Sequence, residues 1–179
     1  AWCSAILDYL HEKEDVKYLE LNGSKANKEE LTKLIETEKP RLVIFNGHGE
    51  EDSVKGYERE ILIRCDENET LLKDKIVHAM SCESGRKLGP KCISIGTAAY
   101  IGYSQKFKLP CEDRSDPEDQ LKDPYAGFIL DPAFEAVLAL SQGATAKEAH
   151  ERSQTKYKQM LRLLVTATNT TLNTVVASQ

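Results

Sequence analysis

Two stretches carry the reading of this 179-residue chain: Leu42-Val43-Ile44-Phe45-Asn46-Gly47-His48-Gly49, and Lys75-Ile76-Val77-His78-Ala79-Met80-Ser81-Cys82-Glu83-Ser84-Gly85. Each is a short apolar run that breaks into small and reactive residues. Apolarity on both faces suits strands of a parallel sheet covered by helices on each side, with residues 42–45 expected as a central strand. A third apolar strand is expected over residues 96–103, just after Ile93.

Around these strands the chain alternates. Trp2, Ala5, Ile6, Tyr9 and Leu10 share one face of a helix over residues 2–13, and residues 16–21 read as a strand closed by Asn22-Gly23. Asn27 is placed to cap a helix, with Glu30 at the capping-box position and Leu31, Leu34 and Ile35 facing inward; Pro40 ends that segment. Residues 54–64 look like a small hairpin excursion. Residues 82–88 read as a helix start, interrupted at Gly89-Pro90. Residues 108–127, acidic and punctuated by prolines, form a surface loop of the length that tends to carry function. A helix opens at Asp131-Pro132 and stops before Gly143. Thr145 with Glu148 is a capping box for a long last helix carrying Ala149, Ser153, Met160, Leu161 and Leu164 inward. The expected fold is α/β: a mostly parallel sheet sandwiched between helices, in one domain over residues 1–179.

Charge and composition narrow the function. Twenty-four Lys and Arg against 29 Asp and Glu give a net charge of −5. That balance argues against nucleic acid or an anionic membrane as partner. No apolar run approaches the roughly 18 residues needed to span a bilayer. The five cysteines (Cys3, Cys65, Cys82, Cys92, Cys111) are odd in number and form no C-x-x-C pair, so neither a zinc site nor a disulfide framework is supported. A reducing, cytoplasmic setting is the expectation, while glycosylation-type triplets at Asn22, Asn68 and Asn169 keep secretion open.

In open α/β sheets, sites form beyond the carboxyl ends of the strands. There His48 and Cys82 would share one rim, 34 residues apart in sequence. A thiol of pKa about 8.5 is mostly protonated at neutral pH, and a neighbouring imidazole can take its proton. A helix N-terminus at Cys82 would favour the thiolate further. Glycines flanking His48 let a substrate backbone approach, and the Gly49 and Cys82 N–H groups are natural donors to a developing oxyanion. The other candidates read as structural. His11 and His150 lie on charged helices and are expected in solvent, His78 as a core residue with a satisfied N–H, and Cys3, Cys65 and Cys92 in or beside the core. Cys111 is expected exposed in the acidic loop.

A buried strand running into His-Gly, followed by a second running into a small residue and Cys, resembles the caspase-like (clan CD) cysteine peptidases. That group includes caspases, metacaspases, legumains, gingipains, clostripain, separase and the prokaryotic CHAT-domain proteases. Cys82-Glu83-Ser84-Gly85 is similar to the legumain form of the second motif, and residues 96–103 resemble the next core strand of prokaryotic members. The resemblance implies a His48–Cys82 dyad, an oxyanion hole of Gly49 and Cys82 amides, and peptide-bond hydrolysis through a thioester. It implies a peptide or protein substrate and, in many relatives, a regulatory protein or domain. One cysteine and one histidine are too few ligands for a structural zinc, so no metal or other cofactor is expected at the dyad, while a calcium requirement, known for some relatives, stays open at the acidic loop. It also implies a strand ahead of the first helix. The chain opens directly on that helix, so the strand is expected to be absent or supplied separately.

The specificity pocket is implied to lie near Met80 and Ser81. Metacaspases and clostripain carry an aspartate two residues before the cysteine, where it pairs with a basic substrate side chain. Met80 stands there in this chain, so another acid would have to serve: Glu51 or Asp52 after the histidine motif, or Asp113, Asp116 or Asp119 in the acidic loop, residues that equally fit a solvated face. Arg114 and Lys122 in that loop are expected self-processing sites. Two functions fit the residues: a cysteine endopeptidase, or a catalytically silent caspase-like module that binds proteins.

Overall fold

The computed structural model describes Leu7, Tyr9, Leu10, residues 16–106 and residues 126–176, and these fall into two compact units divided between residues 106 and 126. Cys3, His11, Cys111, Asp113, Arg114, Asp116, Asp119 and Lys122 lie outside the described residues.

In the first unit, helix α1 (Lys28–Glu38) begins where Asn27 accepts a 2.9 Å hydrogen bond from the Glu30 N–H through its side chain. One of the four unpaired donors of the first turn is thereby satisfied. Leu31 and Ile35, one turn apart, are buried against the core, and the helix ends at Lys39 in the left-handed region (φ 46°) just before Pro40. Strand β1 (Leu42–Asn46) follows. Strands β2 (Gly49–Glu50), β3 (Ser53–Lys55) and β4 (Ile61–Arg64) then form an antiparallel sheet of their own. The excursion expected over residues 54–64 is thus larger, beginning immediately after His48.

Strand β5 (Ile76–Met80) pairs in parallel with β1 on one side and with β6 (Ala99–Ile101) on the other. Helix α2 (Leu88–Ser94) lies between β5 and β6 in sequence. Paired residues of a parallel ladder share a face. Val43, Phe45, Val77, Ala79 and Tyr100 therefore meet one core, joined by Leu31, Ile35, Val54, Leu62, Ile63, Leu72, Leu88 and Cys92.

Four expectations are corrected here. The central strand of the described sheet is β5, buried on both faces, whereas β1 lies at the border with Ile44 36% exposed. Both strands are apolar, and local pattern does not encode strand order. Residues 16–21 form no strand, because a strand needs a neighbour: Leu21 packs on the core, but Leu19 is 48% exposed and no ladder forms. Strand β6 is three residues long, well short of the span 96–103. Residues 82–87 are turns, and α2 starts at Leu88 with Gly89 and Pro90 in its first turn. Proline fits there because the first-turn N–H groups have no intrahelical acceptor.

The second unit is a helical hairpin, α3 (Ala126–Ser141) packed on α4 (Ala146–Val176). Helix α3 begins five residues before the expected Asp131 and carries Pro132 inside it. The turn between the helices uses Gly143 at φ 87°, the left-handed conformation that glycine adopts without cost. The Thr145–Glu148 capping box is reciprocal: the Thr145 N–H donates to the Glu148 carboxylate at 2.8 Å, and the Glu148 N–H donates to Thr145 Oγ1 at 3.3 Å. The Thr145 N–H, and the Thr145 hydroxyl that also donates to the carboxylate at 2.8 Å, hold the Glu148 carboxyl below its ordinary pKa. Ala149 and Ser153 are buried as the periodicity expects, and Met160 and Leu164 are half-buried, but Leu161 is 60% exposed. Helical spacing alone does not reveal where the partner helix runs out.

Candidate active site

Strands β1 and β5 stay paired to their carboxyl ends. Asn46 is in register with Met80, and the Gly47 N–H donates to the Met80 carbonyl at 3.3 Å. The two loops that follow, one carrying His48 and the other Cys82, therefore leave the sheet side by side. His48 is exposed and Cys82 is half-buried.

The loops approach closely at Gly49. A Cβ at this position would lie 2.7 Å from the Cys82 carbonyl oxygen, 2.7 Å from Ser81 Cβ and 3.1 Å from the Cys82 nitrogen. Only a residue without a side chain lets the segment after His48 rest on the Ser81–Cys82 peptide. The Lys55 N–H donates to the His48 carbonyl at 2.9 Å, and the register pairs Gly49 with Val54. Because hydrogen-bonded and non-hydrogen-bonded pairs alternate in an antiparallel ladder, Gly49 falls in a non-hydrogen-bonded position. Its N–H therefore points away from β3, outside that ladder.

Cys82 sits on a sharp turn. Glu83 follows it in the left-handed region, at φ 57°, a conformation that costs a non-glycine residue roughly 1 kcal/mol. The turn is held from three sides: Ser84 Oγ donates to the Ser81 carbonyl at 3.1 Å, the Gly85 N–H to the Tyr103 carbonyl at 3.0 Å, and the Glu83 N–H to the Gln105 carbonyl at 3.3 Å. The expected helix N-terminus at Cys82 is absent. Helix α2 starts at Leu88, with five residues of turn between it and Cys82.

The other expected site residues are distributed as follows. Met80 is half-buried at the end of β5. Ser81 is buried, and its hydroxyl has no hydrogen-bond partner among the described residues. Glu51 and Asp52 form the β2–β3 turn. Glu51 lies 2.6 Å from both Arg86 and Lys87 and is paired within the protein, whereas Asp52 lies 3.9 Å from Arg64, beyond hydrogen-bond reach.

The other described thiols are Cys65 and Cys92. Burial, with the Glu69 charge next, pushes the Cys65 thiol up, and burial pushes Cys92 up to about 12. His78 is buried as expected, yet neither ring nitrogen has a hydrogen-bond partner among the described residues. Desolvation lowers its pKa to about 4, so the ring is neutral at pH 7. The Tyr103 ring stands edge-on to it at 6.3 Å. His150 is exposed.

The sequence reading missed the Tyr103–Gln105 segment that braces the Cys82 turn and the two cations that claim Glu51. The adjacent basic pair Arg86-Lys87 was the visible signal for the second. Among the described residues no group of three or more His, Cys, Asp or Glu is arranged to hold a metal ion, and no helix is long and apolar enough to cross a membrane. No family model matches the chain, and no match was found among curated proteins or among solved structures.

Proposed function

We propose that the chain is a caspase-like cysteine endopeptidase with Cys82 as nucleophile and His48 as general base and acid. The observation that carries this reading is the contact of Gly49 with the Ser81–Cys82 peptide. It places a histidine and a cysteine on adjoining loops at the carboxyl rim of one parallel sheet.

In the proposed reaction His48 takes the Cys82 proton, and the sulfur forms a bond to the scissile carbonyl carbon. The oxygen becomes an oxyanion facing the Gly49 and Cys82 N–H groups. Collapse of this intermediate breaks the C–N bond, and the departing amine takes the proton from His48. Water, deprotonated by His48, then attacks the thioester; the acid product leaves and the thiol is regenerated. Peptides or proteins are the substrate class, with a regulatory protein or domain as the expected partner. Met80 in place of an acid argues against a preference for basic residues set from that position. A reducing compartment fits the proposal, because the chemistry requires a free thiol.

Differential alkylation tests this. In the folded protein, iodoacetamide at pH 7 should modify Cys82 at least about tenfold faster than Cys65, with Cys92 slower still. His48→Ala should remove that advantage. Equal rates at Cys82 and Cys65, or a Cys82 rate indifferent to His48, would overturn the proposal.

A further inference from the structure

Glu51 contacts the Cys82 loop with both its side chain and its backbone. Its carboxylate lies 2.6 Å from Arg86 and 2.6 Å from Lys87. Its carbonyl accepts the N–H of Lys87 at 3.0 Å and that of Leu88 at 2.9 Å. Arg86 also reaches Glu83, the strained residue after Cys82, at 3.2 Å, and Lys106 approaches Glu83 at 3.7 Å. Glu51 itself stands three residues after His48, in the β2–β3 turn.

We infer that Glu51 is a positioning residue that ties the His48 hairpin to the Cys82 loop and so sets the spacing of the two reacting groups. The catalytic consequence rests on the peptidase reading; the tie itself does not. Lys87 as hydrogen-bond donor holds the Glu51 carboxyl below its ordinary range, and the Arg86 charge adds to this, so the tie is ionic at neutral pH. Partly exposed ion pairs add little to global stability. They can still matter here, because a displacement of about 1 Å between reacting groups can cost a hundredfold in rate. The side-chain contacts, one on each of two successive residues, add to the backbone bonds that Lys87 and Leu88 make to Glu51.

The test uses Glu51→Ala, Glu51→Gln and the double variant Arg86→Ala/Lys87→Ala, which removes the tie from the opposite side. Alkylation of Cys82 is followed from pH 5 to 9, with Cys92 as an internal reporter of loosening in the core. Glu51→Ala and the double variant should each slow Cys82 about tenfold and flatten the imidazole-dependent part of its pH profile. Glu51→Gln, which keeps an oxygen acceptor, should fall between them and the parent. Cys92 should stay protected throughout. An unchanged Cys82 profile in Glu51→Ala, or Cys92 becoming reactive in step with the change at Cys82, would overturn the inference. Should Cys82 show no His48-dependent rate in the parent protein, the peptidase reading fails. The tie is then judged by hydrogen exchange at the Lys87 and Leu88 amides: faster exchange in Glu51→Ala supports it, and unchanged exchange overturns it.

Discussion

Cys82 and Cys92 lie ten residues apart in sequence and in opposite chemical settings. Cys92 is on α2 with its side chain in the core, where burial holds the thiol protonated up to about 12. Cys82 is on a turn beyond the end of β5, half-buried, followed by a left-handed residue and approached by the backbone after His48. The same side chain is a small apolar filler in one place and a candidate nucleophile in the other. At the rim, Cys82 is flanked by a left-handed residue and by ion pairs at Glu51 and Glu83, while the Cys92 side chain sits in an apolar cluster. Rim changes should therefore alter reactivity more than stability, and core changes the reverse.

The largest expected effect is at Gly49. The new methyl group of Gly49→Ala must displace the Cys82 carbonyl or Ser81, both 2.7 Å away. Alkylation of Cys82 should slow about a hundredfold, while Cys92 stays protected. A normal Cys82 rate in this variant would break the contrast.

Next comes pH, which probes the buried side of the sheet. His78 has a folded pKa of about 4 against 6.5 for the free side chain. Between these values the unfolded chain binds the proton and the folded chain does not, so stability is full above pH 6.5 and falls as the pH drops toward 4. At pH 5 the loss from this group is about 2 kcal/mol. Urea unfolding at pH 7 and pH 5 should show it, and His78→Leu should remove it at little cost, because the ring has no hydrogen bond to lose. An unchanged pH dependence in His78→Leu would mean that other groups carry the acid sensitivity.

The smallest effect sharpens the comparison between the cysteines. Cys92→Ser places a hydroxyl in the apolar core and should cost about 1–2 kcal/mol, leaving Cys82 chemistry intact. Cys82→Ser should abolish the proposed chemistry and change stability by no more than about 0.5 kcal/mol. Denaturant midpoints and alkylation of the remaining thiols distinguish the two.

Local features were legible where a short-range rule governs them. Asn27 caps α1, Lys39-Pro40 closes it, Thr145 and Glu148 bond reciprocally, and the apolar runs before His48 and Cys82 are parallel neighbours. What escaped depends on residues distant in sequence. Residues 82–88 have helix-forming residues, yet Gly85 is bonded to Tyr103, and Lys87 and Leu88 are bonded to Glu51, so the segment turns. Residues 16–21 alternate like a strand but find no ladder. His78 was expected to satisfy an N–H, and among the described residues it finds no hydrogen-bond partner. At the rim, residue types alone offered Glu51 as an acid near the site, and only the fold reveals that Arg86 and Lys87 pair with it.

The central claim is that Cys82 cleaves peptide bonds. Its most direct test is a mixed-sequence peptide library exposed to the folded chain and, in parallel, to Cys82→Ala, with calcium supplied and every product sequenced. The account predicts cuts made by the parent protein that vanish in the variant, with a shared preference for the residue before the bond. Identical cuts from both proteins, or none from the folded parent, would contradict it.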